Sequence, residues 1–332
     1  MRIKSATSTG SVGSTSEDGP TPLENPSGPY NANDAFVSLK KPPKNTVNLN
    51  LTGAATTPEP TLVKVEGQTP SYQTISGTTL VDGGIAPTDV DQGELGDCFF
   101  LSSLASLAQQ NPSALQNMVH DNGNGTYTVQ LYKKSGSSYT PVKVTVDGEV
   151  PELKDSKGVE EPVYADSPDP KELWPAIVEK AYASLQKGYT TLDKGGYETD
   201  AMSALTGKSA ASYDVSPSNQ TALYSMLQKS IAAGKLTTAG TFTDADLKKN
   251  LTQLNAKGQA TIPASTTYAK LNLVDGHAYT ILGVSTQNGQ PTVQLRNPWG
   301  TEGYEGQGES NGEFSMPLSD FAQLFQEVSV GG

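Results

Sequence analysis

The chain is poor in several side chains that commonly carry chemistry or recognition: its 332 residues include one cysteine, two histidines, two arginines and two tryptophans. A single cysteine cannot form an internal disulfide, so Cys98 is either an inert packing residue or a chemical group. Only Arg2 and Arg296 carry a guanidinium, and no basic cluster alternates with aromatic residues, which argues against nucleic-acid binding. No apolar run approaches the ~20 residues that a membrane span requires.

Two kinds of segment are also missing. Residues 1–7 lack the apolar core of a secretory signal, and one cysteine fits a reducing compartment, so we expect a cytoplasmic protein or one exported without a signal peptide. No Asp-x-Asp-x-Asp-Gly loop followed by glutamate occurs, which excludes a calmodulin-like calcium domain. At 35% hydrophobic and 17% charged residues, the composition is that of a soluble globular protein.

The negative charge is confined to one part of the chain. Residues 1–60 hold five basic and five acidic side chains, so the whole net charge of −12 belongs to residues 61–332. An acidic body is compatible with calcium or with basic peptide substrates, and it is equally compatible with a solvated acidic surface.

The N-terminal region differs in composition from the rest. Of the first 30 residues, 18 are Ser, Thr, Gly or Pro, and such a segment buries too little apolar surface to offset chain entropy. We therefore predict a disordered, low-complexity region over 1–75, which is a flexible tail, a self-cleaved pro-segment or an export address. A composition shift over 206–218 divides the remainder into predicted subdomains 76–212 and 213–332.

The stretch around the cysteine favours chemistry over packing. Gly93 and Gly96 let the backbone approach its neighbours closely, and the apolar run that starts at Phe99 predicts a buried helix. Cys98 would then lie in the first helical turn. There the partial positive charge of the helix N-terminus favours the thiolate, which is the state a nucleophile needs.

Two histidines are available as the base, and their contexts differ. His120 lies in a polar helix end that runs into a glycine turn, which is typical of a surface histidine. His277 begins a stretch of small and β-branched residues that predicts a strand. Asn297 ends a second predicted strand. If the two strands pair, Asn297 can hold the His277 ring and Trp299 can cover that hydrogen bond.

The order Cys, His, Asn is the papain-type arrangement, in which the imidazole takes the thiol proton and the amide orients the ring. The sequences of the motifs resemble one family more specifically. Five stretches resemble the catalytic core of the calpain family of cysteine proteases. They are QGELGDC at 92–98, ELWPAIVEKAYA at 172–183, GHAY at 276–279, RNPWG at 296–300 and NGEFSMPLSDF at 311–321. The likeness covers roughly residues 76–330. One departure is Phe99, where calpains usually have tryptophan.

This resemblance implies an α+β fold, a papain-like two-lobed protease core behind the low-complexity extension. It implies a cysteine endopeptidase that hydrolyses extended polypeptide segments with Cys98, His277 and Asn297. Gln92 matches the family's oxyanion donor, and Trp299 and Gly276 are assigned to substrate binding. Two alternatives are a calpain-like binding module without activity and a transglutaminase-like acyl transferase. The latter ordinarily has Asp as its third member, so the Asn297 motif argues against it.

The resemblance also implies calcium as the one candidate cofactor, with no organic cofactor. For the first half, Asp89 and Asp200 with carbonyl groups of 82–84 would supply oxygen ligands. For the second half Glu313 is kept, but Asn311 replaces the usual aspartate and Gly303 stands near an expected glutamate. We therefore expect at most one functional site, in the first half. The partners expected are protein or peptide substrates, without a penta-EF-hand subunit.

Several elements can be placed from local patterns. Residues 125–132 and 140–146 alternate and predict a hairpin, and 173–185 has the apolar spacing of a core helix. Helices are also predicted from 222 to about 234 and over 244–251, the second capped by Thr243. The polar span 238–273 is interpreted as a mobile flap beside the cleft or as a surface insertion.

Overall fold

The computed structural model describes residues 56–154, 158–308 and 310–332. The disordered tail predicted for the N-terminus falls mainly on residues 1–55, which lie outside these ranges. No helix in the described ranges is long and apolar enough to cross a bilayer.

Eight helices and twelve strands alternate along the described chain, which confirms the predicted α+β class. The helices are α1 Cys98–Gln110, α2 Pro112–Met118, α3 Trp174–Leu185, α4 Tyr189–Leu192, α5 Glu198–Thr206, α6 Gln220–Ala232, α7 Asp244–Ala256 and α8 Leu318–Leu324. The strands are β1 Ser71–Thr74, β2 Val119–Asp121, β3 Thr126–Ser135, β4 Ser138–Asp147, β5 Glu149–Lys154, β6 Glu160–Pro162, β7 Ala210–Asp214, β8 Leu236–Thr241, β9 Ala278–Gln287, β10 Gln290–Arg296, β11 Glu313–Pro317 and β12 Phe325–Gly331.

These strands form three antiparallel sheets. Two small sheets, ordered β1-β5-β6 and β2-β3-β4, belong to the N-terminal part. The C-terminal part has one six-stranded sheet in the order β11-β10-β9-β8-β12-β7. Since β8 and β9 are its central strands, residues at their ends lie deep in the molecule.

Buried apolar residues separate into two clusters. We call the first core the cluster that runs from Val65 to Leu205 together with Leu236, and the second core the cluster from Val215 to Val330. Apolar residues of α1, such as Phe100, pack in the first core, where the Phe100 ring stacks on Tyr182 with centroids 4.0 Å apart.

Helix α1 meets the second core through polar groups. Its side facing β8 and β9 carries serines, of which Ser106 accepts a hydrogen bond from the Thr237 N–H at 2.8 Å. The carbonyl oxygen of Ser102 accepts one from the Thr280 hydroxyl, also at 2.8 Å. These buried bonds fix how the helix lies against the sheet, because an unpaired polar group there would cost roughly 1–3 kcal/mol.

The predicted hairpin, core helix and strand pair are confirmed. Strands β3 and β4 pair along their whole length, and β9 pairs with β10. Helix α7 begins after Thr243, whose side chain accepts the Asp246 N–H at 3.2 Å, so the predicted cap is also confirmed. The cap works because a threonine oxygen satisfies one of the first helical N–H groups, which have no partner within the helix.

The interpretation of 238–273 as a flap or surface insertion is wrong for its first part. Residues 238–241 belong to β8, which is buried along its full length. Leu247 and Leu251 of α7 pack in the second core. The threonines of β8 misled the prediction, since a polar sequence inside a sheet is tolerated when its hydroxyl groups find partners, as Thr237 does with the Ile281 carbonyl at 3.0 Å.

Residues 56–75 also depart from the predicted low-complexity region. They include β1, and Leu62, Val63 and Tyr72 pack against the first core. Glu59 forms an ion pair with the buried Lys180 at 2.9 Å. The folded part of the chain therefore begins before residue 76.

This boundary predicts the effect of truncation. Deleting residues 1–55 should leave the thermal midpoint nearly unchanged, because they are compositionally poor in apolar side chains. Deleting 1–66 should lower the midpoint by roughly 2–4 °C or more, since the buried Lys180 loses its Glu59 partner. Calorimetry on the two truncations and the full chain is the measurement. Equal midpoints for both truncations would contradict the boundary.

Candidate active site

The candidate nucleophile lies at the start of a helix, as predicted. Helix α1 begins at Cys98, of which 1% is exposed. A Cβ at Gly96 would lie 2.4 Å from the Asp193 carbonyl oxygen, and one at Gly93 would lie 2.3 Å from the Val163 carbonyl oxygen. No side chain fits at either position. The two glycines therefore let the loop before the helix pass close to neighbouring backbone.

Burial decides the protonation state of this thiol. It raises the pKa of Cys98 to about 12, and the charges of Glu198 and Asp97 act in the same direction, while backbone groups of Ala278 and Phe99 act against it. An elevation of this size corresponds to roughly 4 kcal/mol, whereas a helix N-terminus stabilises an anion by ~0.3–1 kcal/mol. The expectation that the helix start favours the thiolate is therefore wrong for this arrangement, in which the thiol is neutral at pH 7.

His277 and Asn297 lie side by side because β9 pairs with β10. Their Nε2 and Oδ1 atoms are 2.9 Å apart. The same Oδ1 accepts the Trp299 N–H at 3.1 Å, so it is an acceptor and the imidazole proton must lie on Nε2. The basic nitrogen is then Nδ1, which is buried and has no hydrogen-bond partner among the residues that the structure describes. The imidazole is thus in the tautomer that can accept a proton at Nδ1.

Aromatic rings enclose the imidazole. The Trp299 and Tyr279 rings both have their centroids 5.0 Å from that of His277. Burial lowers the pKa of His277 to about 4, and the Asn297 hydrogen bond opposes this effect. Gly276, immediately before the histidine, adopts a positive φ of 54° and donates its N–H to the Phe242 carbonyl. The assignment of Trp299 and Gly276 to substrate binding stays a prediction.

The thiol and the imidazole are neighbours without a mutual hydrogen bond. The polar contacts of Cys98 are with backbone groups of Ala278, the residue after His277, and of Phe99. Among the described residues, Nδ1 of His277 has no partner. Both groups are neutral at pH 7, and no hydrogen bond joins Sγ to Nδ1.

Gln92 lies between the two cores. Its backbone N–H donates to the Pro298 carbonyl at 2.7 Å, and its side-chain Nε2 donates to the Leu95 carbonyl at 2.5 Å. An amide nitrogen carries two N–H donors, so one remains for an oxyanion. The side-chain oxygen is buried without a donor. The assignment of Gln92 as an oxyanion donor beside Cys98 stays a prediction.

Comparison with known proteins agrees with this geometry. The sequence model of the calpain family of cysteine proteases matches residues 51–309, more than half of the chain. The chain belongs to the calpain family. This confirms the resemblance inferred from the five stretches and the fold that it implied.

Relatives from animals and plants match over most of the chain. Calpain-9 of Rattus norvegicus is 28% identical over 77% of this chain and 38% of the relative. Calpain clp-4 of Caenorhabditis elegans is 31% identical over 75% of this chain and 32% of the relative. The calpain-type cysteine protease DEK1 of Arabidopsis thaliana is 31% identical over 82% of this chain and 11% of the relative. The chain therefore spans well under half the length of these relatives.

The residues predicted as first-half calcium ligands, Asp89 and Asp200, lie in different surroundings. Asp89 is two-thirds buried in a turn and accepts the Ala86 N–H at 2.7 Å. Its charge acts on Glu172, a residue that sequence reasoning did not assign to the site. Burial and Asp89 together raise the pKa of Glu172 to about 7. Glu172 also accepts the Asp82 N–H at 3.0 Å, which places its carboxyl group at the 82–84 turn.

Asp200 does not join this group. It lies in the first turn of α5, where its charge acts on Tyr182. The spacing before the Thr206-Gly207 turn led to the assignment, but this spacing says nothing about which loop α5 faces. Among the described residues, no group of three or more His, Cys, Asp or Glu side chains could hold a metal ion. A calcium ion here would therefore depend on two carboxylates and on carbonyl or water oxygens, a donor set that suits a hard cation.

The residues considered for a calcium site in the second half, Glu313 and Asn311, lie close together but carry only one carboxylate. Glu313 begins β11, and its N–H donates to the Asn311 side chain at 3.1 Å. The charge of Glu313 acts on the buried Arg296. Gly303 has no room for a side chain, because a Cβ would lie 2.6 Å from the Phe314 ring. A glutamate at position 303 itself is thus excluded sterically.

Arg296 is the residue that the sequence reasoning overlooked. It is fully buried, and its guanidinium donates to the Val90 carbonyl at 2.6 Å and to the Asp91 carboxylate at 3.0 Å. Its Nε donates to the Asn311 carbonyl at 3.0 Å. One side chain therefore ties the loop before Gln92 to the strand end that carries Asn297. The available signal was an arginine directly before Asn297 in a chain that has only two.

Proposed function

We propose that this calpain-family chain is a cysteine endopeptidase that hydrolyses peptide bonds in extended segments of proteins. Cys98 is the nucleophile, His277 the general base and acid, Asn297 the orienting residue and Gln92 an oxyanion donor. The observation that supports this best is the 2.9 Å contact between His277 Nε2 and Asn297 Oδ1, which leaves Nδ1 as the free base.

The reaction follows from these positions. Nδ1 of His277 takes the thiol proton, and the sulfur of Cys98 attacks the substrate carbonyl carbon. The oxyanion accepts hydrogen bonds from the Cys98 N–H, which has no partner within the helix, and from the second N–H of Gln92 Nε2. The protonated imidazole then delivers its proton to the leaving amine. Water, deprotonated by the same Nδ1, hydrolyses the thioester.

The described arrangement is a resting one under this proposal. Buried and neutral, the thiol and imidazole must approach each other and form an ion pair before attack. Substrate entering the cleft, or a shift of the two cores, would bring Sγ to Nδ1. A resting state of this kind limits unintended proteolysis, because the nucleophile is protonated until the site is completed.

The test is hydrolysis of casein by the purified chain, with and without added calcium, beside a Cys98→Ala control. Labelling by a thiol-directed active-site probe gives a second readout, because the chain has no other cysteine. Fragments that the Cys98→Ala protein does not produce would support the proposal. Intact casein together with an unlabelled Cys98 would favour a binding module instead.

We also propose a calcium site in the first half, held by Asp89 and Glu172 with carbonyl oxygens of the 82–84 turn. Calcium supplies a fixed positive charge between the two carboxylates, which otherwise repel each other. The loop that they belong to continues into Asp91, which pairs with Arg296. By neutralising the carboxylates, calcium would restrict the movement of this loop and, through Arg296, that of the strand end that carries Asn297.

Calcium binding can be measured directly. Titration calorimetry on the Cys98→Ala protein should show one site, and the double change Asp89→Asn with Glu172→Gln should abolish it, because loss of carboxylates removes the charged ligands. Asp200→Asn is the matched control and should bind as before. Glu313→Gln should have a smaller effect. Two comparable sites, or loss of binding in Asp200→Asn, would show the site to be wrongly placed.

A further inference from the structure

The residue directly before the nucleophile is a buried acid. Asp97 is the N-cap of α1, but its side chain makes no capping hydrogen bond. It is fully buried, and neither carboxyl oxygen receives a hydrogen bond from an N–H or O–H group within the described part of the chain. A buried carboxylate without a donor is costly, so another group must satisfy it.

Glu179 of α3 is that group. It is 1% exposed, and its Oε1 accepts the Ala165 N–H at 3.1 Å. The carboxyl groups of Glu179 and Asp97 contact each other. Two buried carboxylates in contact do not both ionise at neutral pH, because like charges repel strongly in a low dielectric. A proton between them is the arrangement that satisfies both.

Within the described ranges, no cation acts on the pair. Burial raises the pKa of Asp97 to about 7, with the Glu179 side chain acting against this and the charge of Asp193 acting with it. Burial and the charge of Asp97 raise the pKa of Glu179 well above its ordinary value. The nearby Lys180 directs its ammonium to Glu59 and Asp147 instead. The other titratable groups that act on or respond to the pair are all acids, namely Asp193, Cys98, Tyr72, Tyr164, Tyr182 and Tyr189.

We propose that Asp97 and Glu179 form a proton-sharing pair that positions the start of α1, and with it Cys98, and that losing the shared proton at alkaline pH lowers the reactivity of the thiol. Asp97 and Glu179 are positioning residues, since neither reaches the substrate. The inference rests on the proposed role of Cys98 as nucleophile.

The direction of the pH effect follows from the charges. At neutral pH the pair holds at least one proton and carries at most one negative charge. As pH rises through the higher pKa of the pair, a second negative charge appears on the pair. The two like charges repel each other and push Asp97, the residue directly before Cys98, away from Glu179. At alkaline pH the reactivity of Cys98 should therefore be lower than the ionisation of its thiol alone would give.

Glu179→Gln separates this effect from the titration of Cys98. The glutamine oxygen can still accept the Ala165 N–H, and its NH₂ group offers Asp97 a donor that does not titrate. The measurement is the rate of alkylation by iodoacetamide against pH, which reports on Cys98 alone because it is the only cysteine. We expect equal rates near neutral pH, and above the higher pKa of the pair a rate roughly tenfold higher in Glu179→Gln than in the unsubstituted chain.

Two further variants keep the test decisive. Glu152→Gln, a buried carboxyl on β5 outside the pair, is the control and should follow the unsubstituted profile. Asp97→Asn places the donor that does not titrate at position 97 instead of 179. Its alkylation rate should also diverge from that of the unsubstituted chain at alkaline pH. Coincident profiles for all proteins would overturn the proposal. Unfolding of both pair variants would overturn it too, since a fixed donor should replace the shared proton.

The alkylation readout is independent of peptide hydrolysis. If the profiles diverge as expected while casein stays intact, the pair is supported and the protease proposal fails. If casein is cleaved and the profiles coincide, the protease proposal holds and the pair has no positioning effect. The two proposals therefore fail separately.

Discussion

Replacing Cys98 by Ala is expected to abolish peptide hydrolysis, and replacing His277 by Ala is expected to do the same. Thiol and imidazole act as a unit, so removing either one should lower kcat on the order of 10⁵-fold or more. His277 is the histidine whose Nδ1 is free and whose Nε2 is held by Asn297. Initial rates on casein or a fluorogenic peptide are the measurement.

His120→Ala is the matched control for the base. His120 lies on β2, is exposed and pairs in register with Thr128. Its removal should leave both kcat and the thermal midpoint near those of the unsubstituted chain. Loss of activity in His120→Ala with retention in His277→Ala would overturn the assignment of the base.

Gln92→Ala is expected to lower kcat by roughly 10²–10³ with little change in KM, because an oxyanion donor acts mainly in the transition state. The structural cost of this truncation should be small. It removes one hydrogen bond to the Leu95 carbonyl and a side-chain oxygen that has no donor, while the backbone bond to Pro298 remains.

The thermal midpoint distinguishes the two roles of Gln92. A purely structural residue would show a lower midpoint with kcat largely kept. An oxyanion donor would show the reverse. An unchanged kcat would mean that the backbone N–H of Cys98 is sufficient and that Gln92 serves only to shape the loop through Leu95 and Pro298.

The elements around the triad could be predicted because their signals are local. The apolar run after Cys98 has helical spacing, the His277 and Asn297 stretches have the composition of strands, and Gly96 marks a close backbone approach. Each of these patterns depends on neighbours within a few residues. The pairing of β9 with β10 then brings His277 and Asn297 together without further assumptions.

Contacts between distant parts of the chain could not be predicted in this way. Arg296 donates to Val90 across 206 positions of sequence, and no periodic pattern encodes that distance. Asp200 was assigned to the calcium site by its spacing from a turn, whereas Glu172 is the acid that reaches the 82–84 turn. β8 was mistaken for part of a flap because its threonines are polar, although the strand is buried and the Thr237 hydroxyl donates to the buried Ile281 carbonyl.

The sequence by itself determined the family, the fold class and the order of the triad, since these depend on motif spelling and on short-range periodicity. Only the tertiary structure decided the charge state of the site. Burial raises the pKa of Cys98 by more than the helix N-terminus can lower it, and burial lowers the pKa of His277. The fold also places Asp97 against Glu179. These effects arise because desolvation depends on everything that packs around a group, and that environment is assembled from residues far apart in the chain.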